Sequence, residues 1–274
     1  MFRADYHLHS YKSYDGDPGA SIENIYKTSL EMGLDEIALC EHYDVNWVIT
    51  GENPEIDFAD SKNRIKKLTN ATKRETKTRF LLGIELGQPH QCPEKTAEVL
   101  EKNDFDFVLC ALHNVKNEKD FYYLDYKNTS VSHLVMLFEK YTEELCELAN
   151  WGEYHALAHI TYPVRYFSRN NIDIELEKYG DLYKKLFKII TNRGIALEVN
   201  TSGLRKAIQK PCPPFDLLKL YREEGGELLT VGSDAHKISD IYSNIPQVCE
   251  KLREYGFRYI SSVKDKKLVQ VKLT

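Results

Sequence analysis

A chain of 274 residues with 42% hydrophobic and 29% charged residues has a globular composition, which excludes a disordered or fibrous protein. The formal net charge of -5 argues against a large nucleic-acid-binding surface. No window approaches 18 consecutive apolar residues, and the first predicted strand leaves no room for a secretory signal before it. We therefore expect one domain over 1–274 that is cytoplasmic and has no membrane partner.

Seven short apolar runs alternate with segments of helical periodicity along the chain. Ser21 provides a helix N-cap after the first run, and that helix should end near Gly33. Longer amphipathic stretches predict helices over 130–150, 174–192 and 240–255. The alternation predicts a parallel sheet covered by helices, followed by a small C-terminal hairpin. The seven predicted strands lie within 2–9, 36–42, 79–87, 105–115, 154–162, 194–202 and 228–236.

The six cysteines are scattered along the chain without a CxxC pair, and several lie inside apolar runs. This pattern is typical of reduced core cysteines and not of a zinc ribbon or a disulfide framework.

Each apolar run ends in polar residues, most of which are able to bind a metal ion. Strand residues two apart point to the same side, so the histidines of "DYHLHS" can reach one ion. The carboxyl ends of parallel barrel strands form one rim, where active sites are assembled. We therefore predict a shared metal site there. The polar residues at the strand ends are His7 and His9, Glu41 and His42, Glu85, His113, His159, Glu198 and Asn200, and Asp234 and His236. Strand alternation points Glu41 away from His42, so Glu41 is expected to support the site or the fold and not to bind the metal.

This set of motifs resembles the PHP family, named for polymerase and histidinol phosphatase. The segments "DYHLHS", "GLDEIALCEH", "GIELG", "ALHNV", "AHITYP", "LEVNTSGLRK" and "VGSDAH" are most similar to its stand-alone histidinol-phosphatase branch. The resemblance implies a distorted (β/α)7 TIM-like barrel that holds two or three divalent metal ions. The seven strands predicted from the apolar runs agree with that fold.

The resemblance also implies three groups of metal ligands. The first ion would be held by His7, His9, Glu85 and Asp234. Glu85 would bridge to a second ion, whose other ligands are His113 and His159. The third position would use Asp15, His42 and His236. Asp15 departs from the many relatives that have histidine there, and "YDGDPG" can also be an ordinary Asp-Gly turn.

Imidazole and carboxylate ligands without thiolate favour zinc, manganese or iron over calcium. Two such ions can share a hydroxide that attacks phosphorus, and they neutralise phosphate oxygens. Asp234 is the predicted proton acceptor, and Asp234 itself or a neighbouring histidine, His42 or His236, would return a proton to the leaving group. The chemistry predicts hydrolysis of a phosphate ester.

Two arginines near the rim are predicted to bind the phosphate. Arg165 in "TYPVRYFSR" and Arg205 in "TSGLRK" can each match two phosphate oxygens, although either could instead form a surface salt bridge. The aromatic loops over 43–58 and 116–130 should cover the organic part of a small-molecule substrate.

The leading hypothesis is a histidinol-phosphate phosphatase of histidine biosynthesis. One alternative is a PHP phosphoesterase that acts on nucleotides, nucleic-acid ends or phosphotyrosine. Another is a metal-binding regulatory barrel without catalysis. Binding of single-strand nucleic acid would need a basic track with stacking aromatics, and the negative net charge argues against one, so we expect no nucleic-acid partner.

Overall fold

Seven parallel strands form the main sheet of the computed structural model, which describes residues 2–46 and 56–273. The strands follow one another in chain order, and each pairs with the next. This order requires a crossover after every strand, and helices supply most of the crossovers. The strands are β1 (Ala4–Leu8), β2 (Glu36–Asp44), β3 (Arg79–Gly87), β4 (Phe107–Ala111), β5 (Ala156–Leu157), β6 (Ala196–Asn200) and β7 (Leu229–Gly232).

The sheet curls until its two edges meet. The backbone N–H of His9 donates to the carbonyl of Ala235 at 2.9 Å. Leu8, the last residue of β1, forms a parallel bridge with Ala235, which lies just beyond β7. The result is a nearly closed barrel of seven strands. It confirms the predicted distorted (β/α)7 fold and all seven predicted strands.

Helices cover the outside of the barrel, and both predicted ends of the first helix are confirmed. The Ser21 side chain accepts from the Asn24 N–H, and Gly33 lies just beyond the helix end with φ +65°, a conformation that suits glycine. The helices are α1 (Ile22–Glu31), α2 (Phe58–Thr72), α3 (Pro93–Lys102), α4 (Val131–Asn150), α5 (Val164–Arg169), α6 (Gly180–Arg193), α7 (Phe215–Glu223) and α8 (Ile245–Glu254). Within the described residues, no helix is long and apolar enough to cross a membrane.

Two predicted helices begin later than their sequence pattern indicated. The helix expected from 174 begins at Gly180, because residues 176–179 form a separate 3-10 turn. The helix expected from 240 begins at Ile245, since Asn244 adopts a left-handed conformation with φ +63° that a helix does not continue.

The barrel interior is filled mainly by small side chains, so it is a packed core and not a channel. The end of the barrel at which the strands begin is covered by the predicted hairpin, β8 (Tyr259–Lys264) with β9 (Lys267–Lys272). Buried Glu36, at the start of β2, accepts from the Tyr6 hydroxyl at 2.5 Å and from the Val263 N–H at 3.1 Å. The hairpin therefore closes the amino ends of the strands, while their carboxyl ends carry the polar residues.

The six cysteines are unpaired, as the sequence predicted, and five of them are buried.

Candidate functional site

Glu85, near the carboxyl end of β3, lies at the centre of a ring of histidines. Its carboxylate is fully buried, and each of its oxygens faces imidazole nitrogens within 3.5 Å. Because neighbouring strands end at the same level, side chains far apart in sequence meet here. The surrounding histidines are His7, His9, His42, His113 and His159.

One oxygen of Glu85, Oε2, faces three of these histidines. The distances are 3.2 Å to Nε2 of His7, 3.5 Å to Nε2 of His9 and 2.8 Å to Nδ1 of His42. All four atoms are buried, and none of them has a hydrogen-bond partner of acceptable geometry. Buried polar atoms are normally paired, so a converging unpaired set is what a shared cation would satisfy.

The other oxygen, Oε1, faces the histidines that follow β4 and β5. It lies 3.2 Å from Nε2 of His113 and 2.8 Å from Nε2 of His159. Burial opposes ionisation of Glu85, but His7, His42 and His113 outweigh it and hold the pKa of the carboxyl well below its usual range. The carboxylate is therefore available to two groups of histidines, one at each oxygen.

Asp234 joins the first group from the loop after β7. Its Oδ1 lies 4.0 Å from Nε2 of His7 and 3.8 Å from Nε2 of His9, the two histidines with which it was grouped from the sequence. Its backbone is left-handed, with φ +55°, which is rare outside glycine and typical of strained functional positions. Burial opposes its ionisation, but Arg165 and His7 hold the pKa of the carboxyl well below its usual range.

The third predicted group also assembles, at a more open position. Asp15 places its two oxygens 3.6 Å from Nε2 of His42 and 3.1 Å from Nε2 of His236. The two imidazole nitrogens are 3.3 Å apart. The Asp15 side chain is 45% exposed and that of His236 is 25% exposed, whereas the histidines around Glu85 are buried. Although it lies in a Gly-containing turn, Asp15 faces the cluster.

Asp44 contacts His113 through the ring nitrogen that faces away from Glu85, and no role was predicted for Asp44 from the sequence. Its Oδ1 lies 2.7 Å from Nδ1 of His113 and accepts from the Gln88 side-chain amide at 3.1 Å. Such a carboxylate fixes the orientation of a ligating histidine. A signal was present in the sequence, because Asp44 follows His42 by two residues and so points to the same side of β2.

A cleft of about 920 Å³ opens above the cluster, and both predicted arginines line it. Nη1 of Arg165 donates to Oδ2 of Asp234 at 3.0 Å, while its Nε and Nη2 have no partner. Nη2 of Arg205 donates to the Ser233 carbonyl at 2.6 Å, and its Nη1 is buried without a partner. Nε of Arg205 also forms an ion pair with Oδ2 of Asp240 at 3.4 Å. Each arginine nevertheless has an unpaired buried nitrogen beside the cleft.

The loop over 116–130, which was predicted to cover the substrate, contributes to the cleft wall. It provides Tyr122, Tyr123 and Asp120, whose carboxylate accepts from the Tyr162 hydroxyl at 2.9 Å. Burial raises the pKa of Asp120 to about 6. The other predicted loop, over 43–58, lies partly outside the described residues, at 47–55.

Known proteins are similar to this chain along most of its length. The model of the PHP domain family matches residues 5–202. A protein of Thermotoga maritima named "probable histidinol-phosphatase" is 29% identical over 271 residues, which cover 98% of this chain and 99% of that protein. A protein of Clostridium acetobutylicum with the same name is 30% identical over 234 residues, covering 85% of this chain and 86% of that one.

A solved structure shares the fold. The crystal structure of histidinol phosphate phosphatase from Lactococcus lactis, described as a complex with zinc, L-histidinol and phosphate, superposes with a TM-score of 0.80 at 20% identity. The alignment covers 97% of this chain and 98% of that chain. The family match spans well over half of the 274 residues and includes the strands that carry most of the cluster. This chain therefore belongs to the PHP domain family.

Proposed function

We propose that the protein is a metal-dependent phosphomonoesterase that hydrolyses L-histidinol phosphate to L-histidinol and phosphate. The observation that carries the proposal is the pairing of a converging imidazole and carboxylate cluster with two partly unpaired arginines in one cleft. Metal ligands and guanidinium groups together suit a phosphate dianion. The names of the relatives in Thermotoga and Clostridium, which align over most of this chain, support the choice of ester.

The protein would hold two or three divalent ions of zinc, manganese or iron. His7, His9, Glu85 and Asp234 are the proposed ligands of the first ion. His113 and His159 would share the second with Glu85, and Asp15, His42 and His236 would hold the third. The donors fit such ions because they combine imidazole with carboxylate and include unpaired buried atoms aimed at one another. When bound, the ions activate water and neutralise phosphate oxygens.

The chain's own groups would move the protons. As water attacks phosphorus and the ester P–O bond breaks, Asp234 would accept the proton that the water loses, because its Oδ1 faces the proposed first metal position. His236 is partly open to the cleft and would return a proton to the leaving alkoxide, with His42 beside it. Arg165 both orients Asp234 and presents its remaining nitrogens to the phosphate.

The organic part of the substrate would lie against the aromatic wall of the cleft. L-Histidinol phosphate carries an amine and an imidazole, so it needs a carboxylate as well as flat apolar surfaces. Asp120, Tyr122, Tyr123 and Tyr166 offer both in the same wall. We propose that Asp120 pairs with the cationic part of the substrate.

We further propose that the 1–274 chain forms one domain, acts in the cytoplasm and has no nucleic-acid or membrane partner. Six free cysteines suit a reducing compartment, and the negative net charge disfavours a nucleic-acid partner.

Removal of metal should abolish the activity reversibly. After treatment with a strong chelator and its removal by dialysis, we expect phosphate release from L-histidinol phosphate to fall by about nine-tenths or more, because the ligands lose the ions they hold. Adding Zn²⁺, Mn²⁺ or Fe²⁺ should restore it, and circular dichroism should show that the fold persists. Full activity in a protein shown by elemental analysis to be metal-free would contradict the proposal.

Arg205→Ala should weaken recognition of the phosphate. Loss of one charge-assisted hydrogen bond, about 1.5 to 3 kcal/mol, would lower kcat/KM roughly 10- to 150-fold. Steady-state kinetics of both variants would test this, with Arg222→Ala as the matched control. Arg222 lies on α7 and pairs with Glu227 at 3.1 Å, outside the cleft. Equal kinetics for the two variants would remove Arg205 from the phosphate site.

A further inference from the structure

Glu198 on β6 contacts two histidines, His7 and His159, of the cluster around Glu85. Its Oε1 lies 2.6 Å from Nδ1 of His7. Its Oε2 accepts from the backbone N–H of His159 at 2.9 Å and from the Asn200 side-chain amide at 3.2 Å. Glu198 is buried, so these contacts are shielded from water. The two histidines belong to different proposed metal positions, since His7 is assigned to the first and His159 to the second.

When His7 is a neutral imidazole, as a metal ligand must be, the contact with Glu198 fixes which nitrogen of the ring carries the proton. The other oxygen of Glu198 accepts from the His159 N–H, and Oε1 is the acceptor for Nδ1 of His7, which donates to it. The lone pair of Nε2 is then directed away from Glu198 and toward Glu85, 3.2 Å away. This is the tautomer that a metal ion requires of a ligand that binds through Nε2.

The contact with His159 fixes the backbone of a residue that the hydrogen bonds of the β-sheet do not reach. The β5 strand has only two residues, Ala156 and Leu157, so His159 lies beyond its ladder. Glu198 supplies the partner of the His159 N–H, which is otherwise a buried unpaired donor. Both oxygens of Glu198 therefore accept from N–H groups, which favours a positioning role over direct metal ligation.

The barrel also leaves space for this carboxylate. A Cβ atom at Gly232 on β7 would lie 2.5 Å from Oε1 of Glu198 and 2.5 Å from Cβ of His7, closer than real Cβ contacts. Only glycine at this position permits the two side chains to approach each other across β7.

We propose that Glu198 is a positioning residue that orients His7 and His159 together and thereby couples the first and second metal positions. The inference rests on the metal centre of the proposed function and extends it to a residue that binds neither metal nor substrate. Loss of either contact would weaken metal binding at both positions, because they also share Glu85.

The variant Glu198→Gln tests the proposal, since glutamine has the same shape but only one acceptor oxygen. Its amide group must face either Nδ1 of His7 or the N–H of His159, and each choice disturbs one ligand. Metal-free protein would be titrated with Zn²⁺ against a chromophoric chelator. We expect zinc affinity to fall roughly 10- to 100-fold for the variant. The matched control is Glu36→Gln, a buried carboxylate at the opposite end of the barrel, which should bind zinc as the wild type does.

A second variant and a spectroscopic measurement separate positioning from folding. Glu198→Asp keeps both acceptor oxygens with a shorter reach, so it should bind zinc more weakly than wild type but more tightly than Glu198→Gln. In the Co²⁺-loaded protein, Glu198→Gln should change the visible ligand-field absorption, whereas Glu36→Gln should not.

Wild-type zinc affinity in both Glu198 variants, or an equal loss in Glu36→Gln, would overturn the proposal. Zinc binding requires no substrate, so a protein that failed to hydrolyse L-histidinol phosphate could still show the Glu198 effect. The zinc titration can therefore contradict the role of Glu198 without contradicting the proposed phosphatase activity, and the reverse also holds.

Discussion

Asp234→Asn should lower kcat for L-histidinol phosphate on the order of 10³-fold, because the carboxylate has two proposed roles in the reaction. Oδ1 faces His7 and His9 as a metal ligand, and Oδ2 accepts from Arg165 and from the Ser202 hydroxyl, each at 3.0 Å. Asparagine has a single acceptor oxygen, so its amide group would face either the histidines or Arg165. It also cannot accept a proton from water at neutral pH.

Steady-state kinetics and thermal unfolding would be measured for this variant and for Asp106→Asn. Asp106 accepts from the Leu82 N–H at 2.9 Å near the start of β4, away from the cluster, and should retain the wild-type kcat. A wild-type kcat in Asp234→Asn would remove Asp234 from the mechanism. A loss of kcat in both variants would indicate a general effect of removing an aspartate from the barrel.

Much of the barrel and its cluster could be predicted because both depend on local order in the sequence. Each strand is an apolar run that ends in polar residues, and parallel strands place those ends on one side. His7 and His9 share a face by strand alternation, and Glu85 lies near the end of β3. The resemblance to the PHP family then supplied the grouping of these residues into three ligand sets.

The contacts behind the cluster could not be predicted in the same way. Glu198 contacts His7, which is 191 positions away in the sequence. Strand alternation places Asp44 on the same side of β2 as His42, but it does not predict the contact with His113, 69 positions away. Such pairs depend on the curvature of the sheet and on space such as that left by Gly232. The helix starts at Gly180 and Ile245 also differ from prediction, because local turns interrupt an otherwise continuous amphipathic pattern.

The second large effect is expected on the discrimination between substrates, measured as kcat/KM. Metal ligands and arginines attract any phosphate monoester, so discrimination must come from the wall that contains Asp120 and its neighbouring tyrosines. A site built to pair with the polar groups of its substrate can reject an analogue that lacks them by about 10⁴-fold. Asp120→Asn should therefore lower kcat/KM for L-histidinol phosphate more than it does for p-nitrophenyl phosphate, which has no amine.

The most direct test is kcat/KM of the metal-loaded protein for L-histidinol phosphate, p-nitrophenyl phosphate, glycerol phosphate, a nucleoside monophosphate and phosphotyrosine. We predict a value for L-histidinol phosphate at least about 100-fold above each of the others. The nitrophenolate of p-nitrophenyl phosphate is the better leaving group, so this preference would reflect binding and not intrinsic reactivity. Equal values for all five esters, or a clear preference for the nucleotide or for phosphotyrosine, would contradict the assignment.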